Sequence, residues 1–332
     1  MNKFGVAGLV SGVLALAGCG GSSSSTTDTG QESTSDVQLN IPFKAVVGSE
    51  PVACGTTYSG LGTAGTDARF RDFRVFVHDL ALVTDQGEVI PVSLDADADG
   101  QNADVALLDF RDKAEINETG ALVSVCELGT ETAANPGFKD AVQASVTLDP
   151  SVTVQSVQFT IGVPFELNHA SQTSAEEPLR SPGQAAGMTW NWQNGYKFLA
   201  ADVFPIGGVT RASDPTWSNT RWNIHLGSTG CEVSASELEQ GVEPETCADE
   251  NRRTVTLPVG AFALEELAIQ IDYAALVSGS NLGQDDGGAP GCMSGQTDPE
   301  CDAIFERLAL PWGGNSNDGG NPNAQVFSIV ER

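Results

Sequence analysis

The stretch RFRDFRVFVHDLALV, residues 69–83, constrains the fold more than any other part of the chain. Phe73, Val75 and Val77 alternate with Arg74, Phe76 and His78. That period of two belongs to an extended strand, whose successive side chains leave opposite faces. VTVQSVQFTIGV at 152–163 repeats the pattern with the β-branched residues that pack well on a pleated surface. Further strand candidates are 37–47 (VQLNIPFKAVV), 88–94, 105–110, 141–148, 189–198, 221–226, 253–259 and 267–273, separated by stretches rich in Gly, Pro, Asn and Asp. Helical periodicity is weak, and 136–144 and 302–308 are the best short helices. Many short strands joined by long polar loops predict an all-β fold, an antiparallel β-sandwich with disulfide-pinned loops and few short helices. With no repeat of fixed period, the chain reads as one domain over 37–330, in which 280–325 forms an irregular Gly/Asn/Asp-rich lobe.

The first residues, MNKFGVAGLVSGVLALAGC, read as an export signal: Lys3, then an apolar run too short to span a bilayer as a mature anchor. The run ends in Leu16-Ala17-Gly18-Cys19, which resembles the lipobox of bacterial lipoproteins and implies that Cys19 becomes a lipidated N-terminus. Gly20 stands where a retention aspartate would be, so the expected address is the outer membrane, facing the periplasm. GGSSSSTTDTGQESTSD at 20–36 buries too little apolar surface to offset chain entropy and reads as a flexible tether.

Export also explains the cysteines. Of seven, Cys19 apart, Cys54, Cys126, Cys231, Cys247, Cys292 and Cys301 remain, an even number suited to disulfides. Proximity favours Cys231–Cys247 and Cys292–Cys301, which leaves Cys54–Cys126. A thiolate metal site is the weaker alternative, since no CxxC spacing occurs. The net charge of −28, from 16 Lys and Arg against 44 Asp and Glu, argues against nucleic acid and anionic membrane surfaces as partners.

The three histidines, His78, His169 and His225, each lie on or at the end of a predicted strand. Singly, each reads more readily as a structural residue; together they would suit a soft metal. LDADADGQNAD places Asp95, Asp97, Asp99 and Gly100 like the start of a calcium loop, but Ala106 stands where the bidentate acid belongs. A solvated acidic hairpin loop is the preferred reading over a calcium site. No GxSxG, HExxH or phosphate-binding Gly-rich loop is present, so the sequence supports no hydrolase chemistry.

MTWNWQNGYKF at 188–198 puts Trp190 and Trp192 on one side of an extended segment. Indole nitrogen is a donor only, so neither ligates a metal as it stands, and an isolated WxW is most simply two aromatics packing a sheet. The surroundings change that reading. IGVPFELNH at 161–169, PL at 178–179, this block, HLGSTGC at 225–231 and GCMSGQTDPEC at 291–301 occur in order. Together they resemble the MbnP-like family of periplasmic copper-binding proteins, the WxW and four-cysteine partners of metallo-mystery pairs. The resemblance implies one copper bound as Cu(I), Cys231, Cys247, Cys292 and Cys301 as the four cysteines, and oxidation of Trp190 to kynurenine. The oxidant would be a partner di-haem protein of the cytochrome c peroxidase type, MbnH-like. It implies a role in copper homeostasis and a substrate of an enzyme rather than an enzyme. His169 and His225 are expected as ligands ahead of His78, with Met188 a further soft donor whose simpler role is packing, and Trp192 a supporting residue. The rival reading is a lipid-tethered β-sandwich that binds carbohydrate or protein through exposed aromatics.

Overall fold

A computed structural model describes residues 34–111, 115–116, 122–123, 139–190, 195–233, 243–314 and 326–332, with backbone alone at 115–116 and 122–123. The expected signal sequence, Cys19, the tether through residue 33, Cys126 and Trp192 lie outside the described residues, and the last two residues of the expected tether, Ser35 and Asp36, open the first strand instead. Strands dominate: β1 Ser35–Val47, β2 Glu50–Pro51, β3 Thr57–Leu61, β4 Thr66–Thr84, β5 Val89–Pro91, β6 Ser93–Leu94, β7 Val105–Asp109, β8 Glu115–Ile116, β9 Leu122–Val123, β10 Ala141–Leu148 and β11 Val154–Ile161. After the one-turn helix α1 Phe165–Asn168 come β12 Leu199–Pro205, β13 Val209–Thr210, β14 Ser218–Asn219, β15 Asn223–Leu226, β16 Arg253–Pro258 and β17 Leu267–Asp272. The chain closes with α2 Tyr273–Leu276, β18 Gly291–Cys292, α3 Cys301–Leu308 and β19 Phe327–Glu331. Among the described residues no helix is long and apolar enough to cross a membrane.

Two sheets carry the fold. One runs β19-β17-β1-β10-β6 with β2 added on β1, and the other β16-β11-β4-β12-β15-β18 with β3, β5 and β7 on β4. Their inner faces meet in one apolar core. Phe159 of β11 takes Phe43 of β1 edge-on at 5.5 Å and Phe327 of β19 at 6.0 Å, so aromatic contacts join the sheets directly. Phe70 and Phe73 of β4 pack on Tyr273 of α2 at 4.8 and 6.2 Å.

The predicted sandwich is therefore present, with two departures from the antiparallel rule. β1 pairs with β17, and β15 with β18, in parallel. The expected helix at 136–144 gives way to β10 from Ala141, where Val142, Ala144 and Val146 are buried in alternation against exposed or half-buried neighbours. A period of two wins because it puts three apolar side chains on one face of the sheet. The expected helix at 302–308 is present as α3. Of the expected strand 189–198, residues 191–194 lie outside the described residues; the described ones make a bridge, Thr189 to Tyr196, and β12 starts at Leu199. Cys231–Cys247 and Cys292–Cys301 are both bonded, as proximity suggested. Cys54 is disulfide-bonded as well.

Candidate metal centre

The 19-residue β4 is the spine of the larger sheet. One of its edges takes β12 along Ala68–Val75 and then β11 along Val77–Thr84, end to end. The two meet at Phe76, whose N–H donates to Phe198 O at 2.8 Å and whose carbonyl accepts from Gly162 N–H at 3.0 Å. The chain leaves the sheet at Gly162 and returns at Phe198, so everything between is one excursion from a single point. That excursion carries α1, His169, Met188 and Trp190. The same junction receives His78, paired with Thr160 of β11 and Val105 of β7, and the start of β16, where Arg253 pairs with Ile161. β15 also ends here, since Leu226 pairs with Leu199.

Asn168 organises the excursion. Its Oδ1 accepts from Tyr196 N–H at 2.9 Å, and its amide nitrogen lies 3.1 Å from His169 Nε2. Because the backbone N–H fixes which end is oxygen, Nδ2 donates and His169 Nε2 must present a lone pair. Gly195, at φ 69°, packs directly on Asn168, and a Cβ there would land on its carbonyl. The Trp190 backbone N–H donates to Gly195 O at 2.9 Å. The indole edge lies on Gly227: a Cβ added there would fall 2.7 Å from Trp190 Cζ3 and 2.6 Å from Tyr196 O. Trp190 itself is half-buried, whereas Met188 is fully buried.

The histidines divide. His78 is 4 % exposed, and both ring nitrogens are buried without a hydrogen bond. Asp79 Oδ2 lies 3.0 Å from Nδ1 but off the direction along which a ring N–H donates. Burial pushes the His78 pKa down, against the opposing pull of Asp79, so the imidazole is held neutral, the form that ligates metals. An orphaned, neutral, buried imidazole fits a metal ligand well. His169 shares its surroundings. Phe165 packs on the His169 ring at 5.2 Å, Arg252 lies over Phe165 at 5.5 Å, and Arg252 and Glu166 both act on His78. Cys247 Sγ stands 3.4 Å from His169 Nε2.

His225 goes elsewhere. It pairs through Ala200 with Arg74, four residues before His78 along β4, and its Nε2 lies 2.9 Å from Asp202 Oδ1. Asp202 also holds Arg71 at 3.0 Å. Arg252 thus links the surroundings of His78 to those of His169, while His225, two residues before the glycine that carries the Trp190 edge, meets Asp202. Next to His225 is a buried ionic layer. Arg74 donates twice to Asp72, at 2.8 and 2.5 Å, and once to Ala186 O at 2.8 Å, tying the loop before Met188 to the sheet. Burial alone would raise the Asp72 pKa, but Arg74, Arg111 and Lys197 hold it below the usual range.

At the acidic loop a cation is already in place. Lys139 Nζ donates to Asp99 O and to Gln101 Oε1 at 2.8 Å, within the turn that Asp95, Asp97 and Asp99 form. No sequence signal ties Lys139 to that loop or marks Arg252 as part of the site; Asn168 and Gly227 stand in the blocks IGVPFELNH and HLGSTGC, but only their tertiary neighbours give them these roles.

Comparisons with known proteins follow the same lines. A comparison with curated proteins gives no match. A search of solved structures finds MbnP from Methylosinus trichosporium, with TM-score 0.68 and 28 % identity over 90 % of this chain and 99 % of that one. The MbnP family model matches residues 36–294, which takes in β1 through β18, the excursion and both described disulfide-bonded loops except Cys301. A match over that span, on this fold and around this junction, means that the chain belongs to the MbnP family.

Proposed function

We propose that the chain is an envelope lipoprotein that binds one copper ion as Cu(I) at the Phe76 junction, after a di-haem partner of the cytochrome c peroxidase type has oxidised Trp190 to kynurenine. The observation that carries this reading is His78: a neutral, buried imidazole with no hydrogen bond, whose neighbour Arg252 also packs on Phe165 beside His169. Family membership supports copper as the metal. Imidazole nitrogens suit Cu(I), which accepts low coordination numbers. His78 and His169 are the imidazoles that would hold it. His225 acts at one remove, orienting the layer beneath through Asp202. Ring opening turns the indole into an aryl ketone bearing an aromatic amine, and so supplies a lone pair that tryptophan lacks. The protein's own part is to hold the Trp190 edge on Gly227 while leaving the ring half-open to a partner. The chain is then the substrate of an enzyme, with Cys19 as its anchor.

Protein coexpressed with the di-haem partner should show a mass increase on the Trp190 peptide, kynurenine absorbance and about one copper per chain by Cu(I) competition. Without the partner it should carry little. Trp190→Phe should fold yet fail to retain copper, and His78→Ala and His169→Ala should each weaken binding severely while His225→Ala weakens it less. Tight stoichiometric Cu(I) on Trp190→Phe protein would overturn the kynurenine mechanism; full retention in His78→Ala would overturn the assignment of that ligand.

A further inference from the structure

The Cys231–Cys247 disulfide has a partner that a purely structural cross-link does not need. His169 Nε2 faces Cys247 Sγ at 3.4 Å, and one ligand atom from each of His169, Cys231 and Cys247 lies within 4.8 Å of the other two. Ligand atoms around a tetrahedral zinc stand roughly 3.5–3.8 Å apart, given Zn–S near 2.3 Å and Zn–N near 2.0 Å. His169 Nε2 and Cys247 Sγ already stand at about that spacing, while the two sulfurs, held at bonding distance in the disulfide, separate toward it only on reduction. The hydrogen bond from Asn168 Nδ2, whose orientation is set by Tyr196 N–H, keeps Nε2 unprotonated, and that bond is given up when Nε2 turns its lone pair to a metal. Cys231 is buried and Cys247 is half-exposed, so a reductant reaches the bond from the Cys247 side.

We propose that reduction of Cys231–Cys247 by an external dithiol opens a second metal site, Cys231 Sγ, Cys247 Sγ and His169 Nε2, for a thiophilic ion such as zinc or Cu(I). In the oxidised chain the sulfurs are bonded to each other and offer no thiolate. The dithiol attacks Cys247 Sγ as a thiolate, the S–S bond breaks, and Cys231 leaves with the electron pair. The second sulfur of the dithiol then resolves the mixed disulfide, so the dithiol becomes a disulfide and the protein gains two electrons and two protons. Metal binding releases those two protons and leaves two thiolates and one imidazole, with a fourth position open. The site borrows His169 from the copper centre proposed above, but it needs neither kynurenine nor His78. The oxidation state of one disulfide would thus decide which ligands His169 keeps company with.

The test uses the mature chain made without the di-haem partner, so that Trp190 is unmodified and the copper centre is not formed. After mild dithiol treatment, removal of the reductant and a count of two thiols, Co²⁺ should give one equivalent of tetrahedral d–d absorption with a sulfur-to-cobalt charge-transfer band, and Zn²⁺ should bleach both. The oxidised chain should show neither. Cys231→Ser/Cys247→Ser should lose the band, and His169→Ala should keep the charge transfer but lose the tetrahedral d–d pattern. A folded, reduced chain with two thiols and no charge-transfer band overturns the proposal, as does a band that survives in the double serine variant. Loss of the fold on reduction, by circular dichroism with Co²⁺ present, overturns it too, because the site requires the β15–β16 frame. None of these outcomes bears on Cu(I) binding by the kynurenine form, which is measured separately.

Discussion

Gly227 holds the tightest requirement at the scale of single residues. It sits at the end of β15, donates to Ser294 Oγ at 3.0 Å, accepts from Asn251 Nδ2 at 2.8 Å and carries the Trp190 ring edge. One of the atoms that a Cβ would strike is backbone, so the clash cannot be relieved by a rotamer change alone. Gly227→Ala should cost about 1–3 kcal/mol, read by chemical denaturation, and should shift Trp190 fluorescence as the ring lifts. Unchanged stability and emission would mean that the indole does not rest on this glycine. Arg74 makes a second residue-scale case. Arg74→Met would leave the buried Asp72 carboxylate with Arg111 at 3.9 Å as its nearest cation. The loss should be about 3–5 kcal/mol, and Asp72→Leu in the same chain should recover a good part of it, because a buried charge without its partner costs more than an apolar pair. A double variant no more stable than the single would show that the pair is not the source of the effect.

At the scale of elements, the loop between β6 and β7 shows how an apparent motif is used up by the fold. The three aspartates that suggest calcium lie beside a lysine from the start of β10, on a segment about forty residues away in sequence, as the Lys139-to-Asp99 contact shows. Burial pushes the Lys139 pKa down to about 8, with Asp99 and Asp95 pulling the other way. Between pH 8 and the ordinary 10.5, the unfolded chain binds more protons at this lysine than the folded one. Stability from this group therefore rises with pH through that window and is flat below it. The stability difference between the native chain and Lys139→Gln should accordingly move in favour of the native chain from pH 8 to pH 10, by denaturation at each pH. Calcium should leave the melting temperature unmoved in the native chain. A clear calcium shift that disappears in Asp97→Ala would restore the metal reading of the loop.

At the scale of the whole molecule, the cross-links and the proposed lipid anchor are the features to test. Cys231–Cys247 ties the end of the β15 segment to the approach to β16, and Cys292–Cys301 ties β18 to α3. Each should contribute about 2–4 kcal/mol. A thiol titration of the unfolded mature chain without reductant should find essentially no free thiol, since Cys54 is bonded as well. Several free thiols would instead revive a resident thiolate site. Cys19→Ala should abolish lipid labelling and release the chain from the envelope fraction; continued labelling would move the anchor elsewhere.

The sequence by itself determined the class of fold, because a period of two is a local property that each strand carries whatever its neighbours do. β4, β10 and β11 are legible in 69–83, 141–148 and 152–163 to within a few residues. The two described disulfide pairs were legible too, since short loops bring their cysteines together. The four-residue α1, the parallel placing of β1 beside β17, and β19 at the sheet edge were not, because their stability comes from partners far along the chain rather than from their own residues. The site divides in the same way. Trp190 and His169 stand in blocks whose sequence resembles a family, so they could be named without coordinates. That His78 lies past the junction while His225 turns to Asp202 was decided by register alone: His78 and Arg74 lie on opposite sides of Phe76, and the break between β11 and β12 falls at that residue. No local pattern records where two strands will meet end to end, and the point at which they do is where this chain gathers its candidate ligands.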